Sequence, residues 1–539
     1  MFWISQVLMI TVRTVGGPTY PEKMEEMDRA LTKVIEDFNH AVDIEVLRLA
    51  KKNGKHPLPL PGGNSSSMAR AEQEFLLTQL KCVETGYDLK LCCMEGMRET
   101  LLNQIMTWAT NESDMSNLYW IHGLPGIGKT SLAHSICEKL HNKQRLARAF
   151  FCQRDDANMS DLRNILPTLI SKLAEIFPPF RSLVADRLRS NPNLTLKSMK
   201  DSLFLDFICN LPCHPKHALI FVIDALDECG DDQDRPVLLK VLTQAATHAL
   251  WLKIIVTSRP EDEIQDFFRR LPRSSYPSYD LVTDQEAGAD LQTFSQSQFE
   301  LVAKKWCLPT PWPEQRLFDN VITQANGLFI FIKTLVLALK QCKDPDETLK
   351  VALQDSAVTG LKPLYNLYSS ILKSRIVPNN DELWQMIGVL LSAAPYRTLG
   401  EESIAELAGV RPNLVKKWVN DLSSLLYRDE AANGGIHVRH LSISDFFVSD
   451  HCAYQVNLQE ANVQLGIACL KMMVGQLRFN ICKLEDSRLA NADIQDLPSR
   501  IKEHISDTLQ YSSLYWSNHL LLYSRQWRSL RVGKVEGIL

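Results

Sequence analysis

Several things are missing from this 539-residue sequence, and each absence removes a class of function. There is no basic excess. Lysine and arginine number 59 against 63 acidic residues, a formal net charge of −4. Such a balance leaves no electrostatic footprint for bulk nucleic-acid binding, which shows as a basic domain or stripe. There is no regular cysteine spacing. The 13 cysteines are odd in number, and Cys137, Cys209 and Cys469 sit in apolar runs, as small buried hydrophobes do in a reducing compartment. Cys209, Cys213, His214 and His217 are the one cluster of metal-site composition; a helix end followed by a Pro-containing loop accounts for them better than zinc. No span or secretory leader is readable. Met1–Val12 is apolar but lacks a basic n-region and a cleavage pattern, and it is too short to cross a bilayer. No internal repeat stands out. A soluble, cytoplasmic protein without a transmembrane span is expected.

What is present begins with length. Roughly three to four domains are expected from a chain this long, and a 45% hydrophobic share supplies a sizeable core. Residues 1–84 read as a helical N-terminal region. Its first helix, Thr19 to Lys52, carries Leu31, Ile35, Phe38, Val42, Val46 and Leu49 as one apolar stripe. That stripe either packs within the chain or binds a partner protein. Residues 55–67, rich in proline, glycine and serine, read as a linker, and a second helix covers Ala69–Cys82.

From 85 to 280 the pattern alternates between strand and helix. Leu118–Ile121 reads as a buried strand. Gly123-Leu124-Pro125-Gly126-Ile127-Gly128-Lys129-Thr130 follows, and then Leu132, Ala133, Ile136, Cys137 and Leu140 fall on one helical face. Strand, glycine loop and helix form the arrangement that cradles phosphate. Backbone N–H groups and the helix N-terminus face the anion, Lys129 reaches the outer phosphates, and the Thr130 hydroxyl is placed for Mg²⁺. Strands are expected at Arg148–Gln153, Ala218–Asp224 and Lys253–Thr257, a helix at Asp161–Phe177, and turns at Pro178-Pro179 and Asn191-Pro192. The fold class is therefore an α/β P-loop domain, a parallel sheet with helices on both faces, followed by α-helical and winged-helix domains. Residues 281–345 make a small helical domain. Residues 346–450 hold three helices (Glu382–Ala393, Glu401–Ala408, Pro412–Leu426) and a hairpin turning at Asn433-Gly434-Gly435, a winged-helix pattern. Residues 451–539 are helical again, interrupted near Asp496-Leu497-Pro498.

The chemistry sits at strand ends. Asp224 closes an apolar strand, where an aspartate can hold Mg²⁺ opposite Thr130. Glu228, with Asp227 beside it, is the candidate for orienting or deprotonating an attacking water; the competing reading is that these acids cap the next segment. Arg259 is placed to contact a γ-phosphate, against a surface ion pair with Glu261 or Asp262. His440 follows a strand, where a lone histidine is usually structural. Lys416, Lys417 and Trp418 lie on the helix that reads DNA in helix-turn-helix proteins, but Asp421, Glu430 and the acidic balance oppose that use.

In combination, Trp120 to Thr130, Phe221 to Cys229, Ile254 to Pro260, Phe150-Phe151, Gly327-Leu328-Phe329-Ile330 and His440 to Phe447 resemble the NACHT domain. The closer likeness is to fungal NACHT proteins of the STAND class, related to NOD-like receptors and vegetative-incompatibility proteins, over roughly residues 85–450. The resemblance implies a switch that binds ATP or GTP with Mg²⁺, closed with ADP or GDP and opening with triphosphate to oligomerise in signalling of the non-self-recognition or cell-death type, with slow turnover as an NTPase. It assigns Gly123, Gly126, Gly128, Lys129, Thr130 and Ser131 to phosphate, and Thr130 with Asp224 to Mg²⁺. Glu228 becomes the catalytic acid candidate, Arg259 the sensor, and His440 the winged-helix histidine that holds diphosphate. The loop around Gly96 and Arg98 resembles the segment beside the base. Two departures stand out: Phe329 replaces a proline that lies against the base in relatives, and no repeat array follows. An energy-transducing ATPase remodelling protein or nucleic acid, and a nucleotide-bound scaffold without relevant hydrolysis, are the alternatives.

Overall fold

In the computed structural model the described residues run from 83 to 524, with gaps at 84, 113–115, 191–203, 206, 209–214, 273–274, 285, 355–359, 376–379, 430–433, 485–493 and 495. The N-terminal helices and linker, the Asn191-Pro192 turn, and Cys209, Cys213 and His214 of the metal-like cluster lie outside them. The chain divides into two units, and the fold below belongs to the unit of Gln73–Leu477 with Leu489–Leu539. Of the other, Met1–Glu72 with Arg478–Arg488, residues 478–484 are described; they form a turn in which Leu484 N–H donates to Asn480 Oδ1 at 2.7 Å.

The first helix, α1 (Glu99–Thr110), precedes β1 (Leu118–His122), the glycine loop and α2 (Lys129–Asn142). β2 (Leu146–Phe151), α3 (Ile165–Ile176), α4 (Pro178–Ser190), β3 (Leu219–Asp224), α5 (Asp234–His248), β4 (Leu252–Ser258), α6 (Asp262–Arg270) and the three-residue β5 (Ser278–Asp280) complete the α/β domain. All pairings are parallel, in the order β2-β3-β4-β1-β5. Alternation along each strand builds two cores, as expected of a sheet covered on both faces. Tyr119, Ile121, Ile220 and Val222 pack with α1 and α2, while Trp120, Phe221, Ile223 and Val256 pack with α3, α5 and α6. Pro178-Pro179 opens a helix rather than marking a turn; proline is tolerated in a first turn because its missing N–H has no intrahelical partner there. β5 carries no apolar run, which is why the sequence did not announce it.

Four helices follow: α7 (Ala287–Trp306), α8 (Gln315–Ala325), α9 (Phe329–Gln341) and α10 (Pro345–Ala352). The Glu314–Leu339 pattern breaks between α8 and α9, where Asn326 and Gly327 both take positive φ. Next come α11 (Lys362–Arg375), α12 (Asp381–Ala393), α13 (Glu401–Ala408) and α14 (Pro412–Asp421), then the antiparallel pair β6 (Leu426–Asp429) and β7 (Gly435–Val438), and α15 (Leu441–Val448). The helices α12 to α14 and the hairpin make the expected winged-helix unit. Trp418 is buried within it, and Lys417 pairs with Asp421 at 3.1 Å, so the helix face proposed for DNA reading is partly core. α16 (Leu458–Gln476), α17 (Leu497–His504) and α18 (Asp507–Ser524) end the described chain. Among the described residues no helix is long and apolar enough to cross a membrane.

Candidate functional site

The site forms along one sheet edge because β4 is inserted between β1 and β3. Residues at the ends of β1 and β3 are therefore two strand spacings apart, roughly 10 Å, and the end of β4 lies between them. Thr257, fully buried in β4, fills that gap. Its hydroxyl donates to Asp224 Oδ1 at 2.5 Å and accepts from Ala225 N–H at 2.9 Å. Ala225 takes a left-handed conformation with φ 53°, unusual for a residue with a Cβ. The Thr257 bond helps hold the turn that carries Asp227 and Glu228.

In the glycine loop, Gly126 has φ +80° and Gly128, which caps α2, has φ +101°. These values are glycine's territory, and they aim the loop amides and the α2 N-terminus at the sheet edge. Lys129 is buried, and its ammonium donates to Gly123 O at 2.8 Å and Leu124 O at 3.0 Å. Burial lowers its pKa, opposed by Asp227, Asp224 and Glu228. Thr130 is exposed at the helix start and hydrogen-bonds towards Asp224; Ser131 is half-buried.

The acidic turn separates its three carboxylates by role. Asp224 is fully buried, which raises its pKa, against hydrogen bonds from Thr257 and Thr130 that favour the charged form. Asp227 is committed to Arg259: its Oδ1 accepts from the Arg259 backbone N–H at 2.9 Å, and Arg259 Nε stands 3.2 Å from Oδ2. Asp227, grouped with Glu228 from sequence, thus positions an arginine. Glu228 is the perturbed one. Burial, then the charges of Asp227 and Asp224, push its pKa up to about 8, with Arg154 and Arg259 opposing. At neutral pH it holds a proton.

Arg259 does not pair with Glu261 or Asp262 as the surface reading had it. Its Nη1 donates to Asp445 Oδ2 at 2.7 Å, on α15 of the winged-helix unit. His440 is the N-cap of that same helix. The Ser442 backbone N–H donates to its Nδ1 at 3.2 Å, and Ser442 Oγ lies at 2.7 Å. Accepting at Nδ1 leaves the proton of the neutral ring on Nε2. Burial, then Arg259, Lys129 and Lys333, lowers the His440 pKa to about 3, so the ring is neutral. A Cβ at Gly126 would lie 3.7 Å from His440 Cε1 and 2.0 Å from Ile330 Cγ2. Ile330, at the start of α9, also donates its N–H to Gly126 O at 3.2 Å. The loop is therefore flanked by the start of α9 and by the residue that caps α15.

Arg98, the N-cap of α1 with φ 55°, acts as a clamp. Its backbone N–H donates to Asp290 Oδ2 at 3.0 Å, its guanidinium pairs with Asp284, and Nη2 donates to Ile127 O at 3.3 Å. It lies 5.9 Å from the centre of the Phe329 ring. Its guanidinium is used on the protein itself, tying the Gly96 loop to the glycine loop and to α7. Sequence reasoning missed Thr257, Arg154 and Asp445 as members of this site. Thr257 hid inside an apolar strand; Asp445 left a signal, a carboxylate on a helix otherwise buried at Leu441, Ile443, Phe446 and Phe447. Of the metal-like cluster, His217 Nδ1 lies 2.9 Å from Glu112 Oε1. Among the described residues no group of three or more His, Cys, Asp or Glu is placed to hold a metal ion. A Mg²⁺ site here would use the hard oxygens of Thr130 and Asp224 with phosphate and water, the usual Mg²⁺ arrangement.

Residues 96–259 match the family model described as Nephrocystin 3, N-terminal. That span opens at the Gly96 loop and closes on Arg259, so it holds the glycine loop, the acidic turn, Arg154, Thr257 and Arg259, while Ile330, His440 and Asp445 lie beyond it. No curated protein matches the sequence. Similar solved structures include a Walker-type ATPase of Pyrococcus abyssi (13% identity, TM-score 0.33, covering 67% of this chain and 98% of that one). Others are the ORC1 protein of Aeropyrum pernix in complex with DNA (12%, 0.30, 69% and 96%) and Cdc6p of Pyrobaculum aerophilum (11%, 0.30, 74% and 98%). The strand order, the glycine loop at the end of β1 and the acidic end of β3 make the first domain an α/β P-loop NTPase fold, with helical and winged-helix domains following it.

Proposed function

We propose that this protein is a nucleotide switch of the NACHT and STAND kind, binding ATP or GTP with Mg²⁺, closed with diphosphate and opening with triphosphate to self-associate in cytoplasmic signalling. The observation that carries the reading is the seal on the glycine loop: Ile330 of the small helical domain and His440 of the winged-helix unit both lie against Gly126. An enzyme built for rapid exchange gains nothing from two further domains lying against its phosphate loop. A switch does, because each domain then has a free-energy stake in what the loop holds.

The roles are as follows. The loop amides from Gly123 to Gly128, with Lys129, Thr130 and Ser131, hold the phosphates; Thr130 and Asp224 hold Mg²⁺. Bound Mg²⁺ supplies charge neutralisation at the phosphates. His440 offers Nε2–H as a neutral donor, suited to a phosphate oxygen it need not neutralise. Glu228, protonated near neutrality in this closed arrangement, cannot accept a proton from water, which favours slow turnover. Arg98 and Phe329 shape the base side through the Gly96 loop.

The test is the nucleotide released when the purified chain is denatured. Close to one ADP or GDP per chain is expected, together with its loss in Lys129→Ala and an unchanged helical circular dichroism signal in that variant. Absence of bound nucleotide, with added diphosphate also failing to bind, would sink the proposal.

A further inference from the structure

Asp445 stands between two arginines of the P-loop domain. Its Oδ2 accepts from Arg259 Nη1 at 2.7 Å, and its Oδ1 is 3.9 Å from Nη1 of Arg154, in the turn after β2. The Arg259 guanidinium is divided. Its Nε side is fixed by Asp227 at 3.2 Å within its own domain, and its Nη1 end is given to the winged-helix unit. The pair is largely sheltered, with side-chain exposures of 14% for Arg259 and 24% for Asp445, so water screens it less than a surface bridge. Tyr365 of α11 feels both charges, Tyr368 of the same helix feels Asp445, and Glu228 and His440 feel Arg259. Two guanidiniums converging on one oxyanion make a site that would suit a phosphate equally well.

We infer that Asp445 is a specificity-determining residue for phosphate number: its carboxylate holds the end of Arg259 that a terminal phosphate would need, so the chain prefers diphosphate while α15 is in place. The inference rests on the reading of Arg259 as the cation that meets a γ-phosphate. The competitor for that cation is built into the chain. A diphosphate does not reach for Arg259 and leaves the Asp445 bridge intact. A triphosphate must displace Asp445, and with it the helix capped by His440, since both residues belong to the eight-residue α15 and its cap. One short helix thus carries a donor towards the loop and a carboxylate that withholds the sensor arginine. By linkage, whatever the triphosphate loses in displacing Asp445 is what the docked winged-helix unit gains.

The experiment uses the full chain and measures Kd for ADP and GDP and for their non-hydrolysable triphosphate analogues, with Mg²⁺, in wild type, Asp445→Asn, Asp445→Glu and Arg259→Gln. Asp445→Asn should shift the affinity ratio towards triphosphate by at least about fivefold, the low end of measured couplings between sites. Asp445→Glu keeps the charge and should stay near wild type, and a melting curve on each variant reads folding separately. An unchanged ratio in Asp445→Asn, or Asp445→Glu behaving like Asp445→Asn, overturns the inference while leaving the switch reading standing. Arg259→Gln binding triphosphate as well as wild type removes the sensor role itself and the inference with it. A wild-type chain that binds neither nucleotide sinks both.

Discussion

Replacing Glu228 by glutamine keeps the shape of the side chain and removes its titration, so the variant reads how strongly the acidic turn resists a third charge. In the folded protein Glu228 titrates near 8, against an ordinary 4.5, because it is buried beside Asp227 and Asp224. The folded pKa is raised, so between these values the folded state holds a proton that the unfolded chain has released. The corresponding stability is fully present below about pH 4.5 and is lost as pH rises through about 8. Each tenfold change in proton affinity is worth about 1.4 kcal/mol. The full displacement therefore sets a ceiling near 5 kcal/mol, and sharing with two neighbouring carboxylates brings the expectation to roughly 2–3 kcal/mol. The assay is thermal and urea unfolding of nucleotide-free protein in chelator, at pH 5, 6, 7 and 8, followed by intrinsic fluorescence. Glu228→Gln should match wild type near pH 5 and exceed it progressively up to pH 8. Parallel pH profiles for the two proteins would refute the argument that burial holds Glu228 protonated, and with it the physical account of slow turnover.

Three further outcomes are expected. Gly126→Ala places a methyl 2.0 Å from Ile330 Cγ2 at φ +80°, so it should undock the start of α9 at a cost of about 2 kcal/mol or more; hydrogen exchange at the Ile330 amide, which donates to Gly126 O, should speed up, and unchanged protection would count against the contact. Lys253→Met removes a buried ammonium that donates to Trp108 O at 2.7 Å and Asn111 O at 2.8 Å, closing the C-terminus of α1; a loss of about 2–3 kcal/mol should show as a lowered Tm, and an unchanged Tm would mean the carbonyls find other donors. His440→Asn keeps an acceptor for the Ser442 N–H while removing an imidazole whose pKa burial lowers to about 3. A depressed histidine adds stability above about pH 6.5 that is lost as pH falls towards 3, so the variant should decline less steeply in acid than wild type.

Whatever depends on neighbours along the chain was legible before any fold was known. Leu118 to Leu140 reads as strand, loop and helix, because a short apolar run suits a buried strand, glycines at 126 and 128 permit positive φ, and the stripe from Leu132 to Leu140 repeats at the helical period. Ala218–Asp224, short, rich in β-branched residues and apolar up to its closing acid, suits a doubly buried strand, and the three helices and hairpin before His440 were readable from period and turn residues. Which charges meet depends instead on how distant segments pack. Asp227 and Glu228 are adjacent in sequence, yet one holds Arg259 and the other is left protonated, because β4 passes between β1 and β3 and brings Arg259 to the acidic turn. The insertion of β4 also made Thr257 the bridge to Asp224. Asp445, 186 residues from Arg259, is its partner only because α15 packs over the sheet edge, and Arg98 spends its guanidinium on Asp284 for the same kind of reason. Local conformation follows from sterics and hydrophobic period, which act over a few residues. The state of a buried charge follows from the charges and solvent around it, and those are assembled only when distant segments pack.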